Sequence, residues 1–160
     1  MKIFQVSAKS RTRKAVLIAL LTGTLAITLS ACTATVNLEA APLANDPACA
    51  EITVRLPEVI SDQGKRITNA QATGAWGNPS AVILRCGLAP VAVSTLNCVT
   101  ASDVDWLVDE SKAPSYRFIT FGRSPATEVI VDSKVVAGVT ALDSVAEAIK
   151  NIPATKKCSG

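Results

Sequence analysis

The chain has 160 residues, with 16 basic and 13 acidic side chains and no histidine. The absence of histidine excludes Ser-His-Asp and Cys-His catalysis and the usual zinc or copper sites. Carboxylate, lysine and serine-lysine chemistry remain open, but the sequence has no Ser-x-x-Lys motif and no other catalytic motif, so we expect no enzyme, metal or cofactor. Residues 1–31 contain 5 of the basic side chains and no acid, which leaves 11 basic against 13 acidic groups in the other 129 residues. That remainder suits one domain and has no basic stripe for nucleic acid.

The first 31 residues have the pattern of a secretory signal peptide. Their basic side chains precede an apolar run from Ala15 to Thr28, which is shorter than the about 20 residues of a transmembrane helix. Leu29-Ser30-Ala31-Cys32 follows and resembles the lipobox of bacterial lipoproteins. The resemblance implies diacylglyceryl transfer to Cys32, cleavage before it, and lipid anchoring at the extracytoplasmic face of the cell membrane. Ordinary secretion and a retained membrane helix are the alternatives.

The cysteines agree with export. With Cys32 assigned to lipid, four remain, Cys49, Cys86, Cys98 and Cys158, and an even number in an oxidising compartment predicts two disulfides. Three pairings can be drawn. We expect Cys86 with Cys98, which would close a local loop, and Cys49 with Cys158, which would join the start of the domain to its end. A redox or metal cluster is less favoured because the chain has no Cys-x-x-Cys.

In chain order, residues 32–47 are predicted to be the lipidated cysteine and a flexible tether, because prolines and small residues interrupt any periodicity. Residues 48–160 are predicted to form the folded domain. At its start Asp46 can cap a helix, Pro47 suits the first helical position, and Pro57 ends the pattern.

Several strands and a second helix follow. Residues 66–73 predict an irregular strand, 81–87 a buried strand, 104–108 an extended segment, and 115–121 with 126–131 a hairpin around a turn at 122–125. A helix is predicted from Thr140, where Asp143 imitates a capping box, to Pro153. The predicted fold class is therefore α+β, a four- to five-stranded mainly antiparallel sheet with both helices packed on one face.

Four segments resemble the domain of unknown function family 3515, predicted lipoproteins of actinobacteria. They occur in the family's order within residues 49–158: Trp76-Gly77 with Pro79, Leu84-Arg85-Cys86-Gly87, Val104-Asp105-Trp106, and Phe121-Gly122-Arg123-Ser124-Pro125. Phe121 departs from the pattern, since tyrosine is expected there as often. The resemblance implies a location and a domain, but no activity, cofactor or catalytic residue.

Arg85, Arg123 and Trp76 form a hypothetical ligand site. Both arginines flank predicted turns and could converge with the tryptophan on a concave patch, because a guanidinium suits carboxylate or phosphate. We favour the alternative that both arginines form structural ion pairs with Asp103, Asp105 or Glu128. The acidic run around Asp105 likewise favours a solvated edge over a cation site.

The composition and the resemblance together favour a non-catalytic interaction module of the cell envelope. Its expected partners are the membrane, through the lipid anchor, and an unidentified envelope protein. A protein that binds a small anionic ligand through the arginine patch and an enzyme of unrecognised type are the alternatives.

Overall fold

A computed structural model describes residues 34–158. In chain order the elements are α1 (Pro47–Thr53), β1 (Val59–Ile60), β2 (Gln63–Arg66), β3 (Thr73–Trp76), β4 (Val82–Leu88), β5 (Asn97–Ala101), β6 (Val104–Asp109), β7 (Ser115–Thr120), β8 (Ala126–Asp132) and α2 (Gly138–Ile149). No helix within these described residues is long and apolar enough to span a membrane.

The strands form one eight-stranded antiparallel sheet in the order β1-β2-β3-β4-β8-β7-β6-β5. The predicted α+β fold with four or five strands is therefore wrong, since the domain is mostly β. The irregular strand predicted over residues 66–73 is wrong, because these residues connect the end of β2 to the start of β3. The prediction therefore missed β1, β2, β3 and β5. β1 has only two residues, and neither β2 nor β5 contains a buried residue. Such short, solvated strands lack the apolar alternation that reveals a strand in a sequence.

The predicted start of α1 is confirmed, but the helix ends at Thr53, before the predicted end at Pro57. Asp46 caps this helix, because its Oδ1 accepts a hydrogen bond of 2.8 Å from the backbone N–H of Ala48, and Pro47 opens the first turn. For α2 the predicted capping box is wrong. The helix begins at Gly138 after Ala137, without a side-chain cap, and Asp143 accepts a hydrogen bond from Ser102 instead.

The main core lies between the two helices and one face of the sheet. Buried residues from all three surfaces form a single cluster, including Cys49 and Ile52 of α1, Leu142, Val145 and Ile149 of α2, and Leu84, Trp106, Val129 and Val131 of the sheet. Successive strand residues point to opposite faces, so Arg85, Arg117 and Glu128 lie on the face away from the helices.

The predicted disulfide pairing is wrong, although all four cysteines are bonded. Cys49 pairs with Cys86, and Cys98 pairs with Cys158. Cys86 is on β4 and Cys98 on β5, which are separated by three other strands. At about 4.8 Å per strand spacing they are roughly 19 Å apart, far beyond the reach of a disulfide.

The two sheet faces explain why Cys49 does not reach Cys158. Cys49 is buried beneath α1 in the main core. The backbone N–H of Cys158 donates a 2.9 Å hydrogen bond to Asp105, which alternates with the core residue Trp106 and therefore lies on the opposite face. Cys98, directly opposite Leu107 in the β5–β6 register, shares that face.

The segment from Ala34 to Asp46 lies against the domain, where the sequence predicted a flexible tether. The backbone of Val36 hydrogen-bonds to Ile67 and Asn69, at 2.9 and 3.2 Å, and the Leu43 N–H donates to the Gly87 carbonyl at 2.8 Å. Ala41 and Ala44 are buried. These contacts join residues far apart in the chain, so a local absence of periodicity does not reveal them.

Candidate functional site

Three charged residues meet on the sheet face opposite the helices, at its centre. Arg85 on β4 lies directly across from Glu128 on β8, and Glu128 lies across from Ile119 on β7. Arg117 is two residues before Ile119 and therefore occupies a diagonal position on the same face. The antiparallel register thus places one carboxylate between two guanidinium groups.

Glu128 is almost completely buried and is held by both arginines. Its residue is 1% exposed. Arg85 donates from Nε to Oε1 at 2.6 Å, with its Nη2 in ion-pair contact with the same oxygen at 2.6 Å, and Arg117 donates from Nε to Oε2. Each carboxylate oxygen therefore has a charge-assisted partner, which offsets the cost of burying the charge. The arginine side chains themselves are 32% and 36% exposed.

Two open cavities adjoin this cluster and share Arg85, Glu128 and Ile130. The first, of about 400 Å³, is lined in addition by Asp109, Ser111, Lys112, Ser115 and Arg117. The second, of about 470 Å³, is completed by Asn37, Leu38, Glu39 and Ile83. We call the first cavity the arginine groove. Both volumes lie in the range that small-molecule sites occupy.

The arginine groove has an excess of positive charge. Arg85, Lys112 and Arg117 stand against Asp109 and Glu128. Hydrogen bonds from the side chain and the backbone of Ser111 hold the pKa of Asp109 below its usual value, with smaller contributions from Arg117 and Lys112. Asp109 is therefore ionised at neutral pH, and the lining carries a net charge of +1 when all five groups are charged.

Of the hypothetical ligand site, only Arg85 lines this groove. Trp76 is fully buried, and its Nε1 donates a 2.9 Å hydrogen bond to the Pro57 carbonyl. Arg123 is 6% exposed, donates to the carbonyl of Ile152, and lines a different cavity. Burial lowers the pKa of Arg123, and the charge of Asp105 opposes this shift. The structure therefore does not bring the three residues together.

Sequence reasoning missed Arg117 as a member of the site, although a signal was present. Arg117 alternates with Tyr116 and Phe118, so the hairpin pattern already placed it on the sheet face that Ile119 shares. Glu128 was among the expected partners of Arg85, and that ion pair is confirmed. The sequence did not reveal the register of β4, β7 and β8, and this register places both arginines beside one carboxylate.

The remaining predicted site residues have separate positions. The proposed lipidation site, Cys32, lies outside the described residues. The acidic residues from Asp103 to Glu110 have different partners: Asp105 accepts from Thr100 and Cys158, Asp109 accepts from Ser111, and Asp103 lies 3.8 Å from Lys150. Between residues 34 and 158 no three His, Cys, Asp or Glu side chains are grouped as a metal site.

Comparison with known families identifies the chain. Residues 14–157 match the family described as "Protein of unknown function (DUF3515)". The chain belongs to this family. The match includes every described strand and both described helices, so the family's domain contains the whole sheet and the arginine groove. No curated protein and no solved structure matches the chain.

Proposed function

We propose that this member of the family is a lipoprotein of the cell envelope, anchored through Cys32 at the extracytoplasmic face of the membrane, as its resemblance to predicted actinobacterial lipoproteins implies. The domain is a non-catalytic interaction module, and its partner is an envelope protein. The lipobox pattern Leu29-Ser30-Ala31-Cys32 carries this proposal. The two disulfides support it, because structural disulfides persist in exported proteins and are rare in the cytosol.

The pKa shifts of Asp109 and Lys150 are consistent with a non-catalytic role. A general acid or base works best when its pKa lies near the operating pH. Hydrogen bonds from Ser111 lower the pKa of Asp109, and the hydrogen bond that Lys150 donates to Glu147 raises the pKa of Lys150. Both shifts move away from neutral pH, so neither group is tuned for proton transfer there.

The position of Ala34 limits how far the folded domain could extend from a lipid on Cys32. The Ala34 carbonyl accepts a 2.6 Å hydrogen bond from Arg66 on β2. Cys32 precedes Ala34 by two residues, which span at most about 7 Å of extended chain. A lipid on Cys32 would therefore hold the β1–β2 edge of the sheet close to the lipid headgroups, instead of suspending the domain on a long tether.

Substitution of the lipidated cysteine tests the proposal. In the Cys32→Ala variant we expect no incorporation of labelled fatty acid and no membrane retention of the processed form, because two acyl chains supply the stable anchor. Ser30→Ala, which keeps a small residue in the lipobox, is the matched control and should be labelled and retained like the parent. Labelling that persists in Cys32→Ala, or a parent protein found unprocessed with reduced cysteines in the cytosol, would overturn the assignment.

A further inference from the structure

We propose that the arginine groove binds a small ligand through an oxyanion, either a carboxylate or a phosphate. The site is independent of the anchor, because it is built entirely from the sheet and one turn. Its recognition elements are Arg85, Arg117 and Lys112, with the hydroxyl group of Ser115 at the margin.

The two guanidinium groups are already oriented for an anion. Each donates to one oxygen of the same Glu128 carboxylate, so their bonded nitrogens lie within about 8 Å of each other. Glu128 is buried and is held by both arginines, which restricts its side chain. Little side-chain entropy is therefore lost when a ligand engages both arginines, and a planar fork can bond an oxyanion through two donors.

Donors are left over for the ligand. Within residues 34–158 Arg117 and Arg85 each form a hydrogen bond through Nε alone, and the Nη2 of Arg85 is in ion-pair contact with Glu128. The Nη1 and Nη2 groups of Arg117 and the Nη1 group of Arg85 can therefore donate to an anion. Both side chains are about one third exposed, at 32% and 36%, so a ligand can approach them from solvent.

The net charges of the two cavities favour the arginine groove as the site for an anion. The neighbouring cavity contains Glu39 and Glu128 against Arg85 alone, so its net charge is −1 when these groups are ionised. The arginine groove adds Arg117 and Lys112 and has a net charge of +1. An anion is therefore attracted to the side of the arginine pair that faces Lys112.

Lys112 distinguishes a binding site from a purely structural ion cluster. It is exposed and, in the described part of the chain, forms no salt bridge. The ion pairs of Arg85 and Arg117 with Glu128 form without any contribution from Lys112. A site that binds an anion would gain from Lys112, because this residue adds a third positive charge at the cavity wall.

The experiment is an NMR titration of the arginine Nε–Hε signals in the full-length protein, purified from whichever cell fraction contains it. The probes are inorganic phosphate and succinate, added at constant ionic strength with chloride as the balancing anion. We expect saturable shifts for Arg85 and Arg117 and none for Arg55, which pairs with Glu51 on α1 and serves as the internal control. Saturation with either probe supports the proposal, and the comparison tells phosphate from carboxylate.

Variants separate binding from folding. Lys112→Ala should weaken the probe's affinity about fivefold, as expected for one partly screened charge, without changing the unfolding temperature. Lys157→Ala, which removes another exposed lysine outside the groove, should leave the affinity unchanged. Shifts that fail to saturate, equal shifts at Arg55, or an unchanged affinity in Lys112→Ala would overturn the proposal. None of these results depends on lipidation of Cys32.

Discussion

At the residue scale, partners are set by the strand register and not by distance along the chain. Arg85 needed a carboxylate, because a guanidinium near the interior of a sheet is costly when unpaired. Asp103 and Asp105 are closer in sequence, but the partner is Glu128, which lies 43 residues away and directly opposite in the β4–β8 ladder. The same register gives Glu128 its second arginine, and so creates the candidate site.

Gly87 provides a residue-scale prediction. Its φ of +106° is unfavourable for other residues, and an added Cβ would overlap the backbone of Ala44 in the segment that precedes α1. We expect Gly87→Ala to lower the free energy of unfolding by about 2 kcal/mol or more. Urea denaturation measures this. Gly64→Ala is the matched control, because no atom lies within 4 Å of the added carbon, and it should change stability by less than about 1 kcal/mol.

Wild-type stability in Gly87→Ala would contradict the close packing of Ala34 to Asp46 on the domain. The result would favour the tether that the sequence predicted for these residues.

At the scale of elements, the two disulfides join different layers. Cys49–Cys86 links α1 to β4 inside the main core, and Cys98–Cys158 links the edge strand β5 to the carboxyl-terminal segment. Their sequence separations of 37 and 60 residues give similar chain-entropy contributions, about 4 kcal/mol each. The two disulfides therefore differ more in the solvent exposure of their cysteines than in the length of the loops they close.

Stepwise reduction of the folded protein tests this difference. Both sulfur atoms of Cys49–Cys86 belong to fully buried residues, whereas Cys98 is exposed and Cys158 is half-buried. Because a reducing thiolate must reach a sulfur atom, we expect dilute reductant to open Cys98–Cys158 first. Alkylation and peptide mass spectrometry identify the freed cysteines. Simultaneous opening of both bonds, or earlier opening of Cys49–Cys86, would contradict the burial of Cys49–Cys86 and the exposure of Cys98.

At the scale of the whole molecule, the proposed anchor would orient the sheet relative to the membrane. The hydrogen bond between Ala34 and Arg66 lies at the β1–β2 edge. Lys112, in the turn between β6 and β7, is four to five strand spacings from β2 across the sheet, or roughly 20 to 25 Å. If Cys32 is lipidated as proposed, the arginine groove would lie away from the membrane-proximal edge and be open to solutes.

Lysine modification on intact cells tests the orientation. Lys65 is next to Arg66, with a side chain that is 26% exposed. We expect a membrane-impermeant amine reagent to modify Lys65 more slowly in the anchored protein than in the released Cys32→Ala variant. Lys112 should react at the same rate in both forms and serves as the control. Equal rates at Lys65 in the two forms would contradict the proposed orientation.

The sequence by itself determined the features that depend on near neighbours. Asp46 and Pro47 specify the start of α1, the apolar run after Pro79 specifies β4, and alternation specifies the β7–β8 hairpin. Each follows from periodicity or capping within a few residues. The even number of cysteines after Cys32 predicted two disulfides in the same way, from composition alone.

Only the tertiary structure decided which distant residues meet. The order of the eight strands separates Cys86 from Cys98, and it brings Arg85, Arg117 and Glu128 to one point. The folded domain also provides the backbone groups, at Ile67, Asn69 and Gly87, to which the segment after Ala34 is hydrogen-bonded. The physical reason is that strand pairing and register depend on burial of the whole sheet face, which no short stretch of sequence contains.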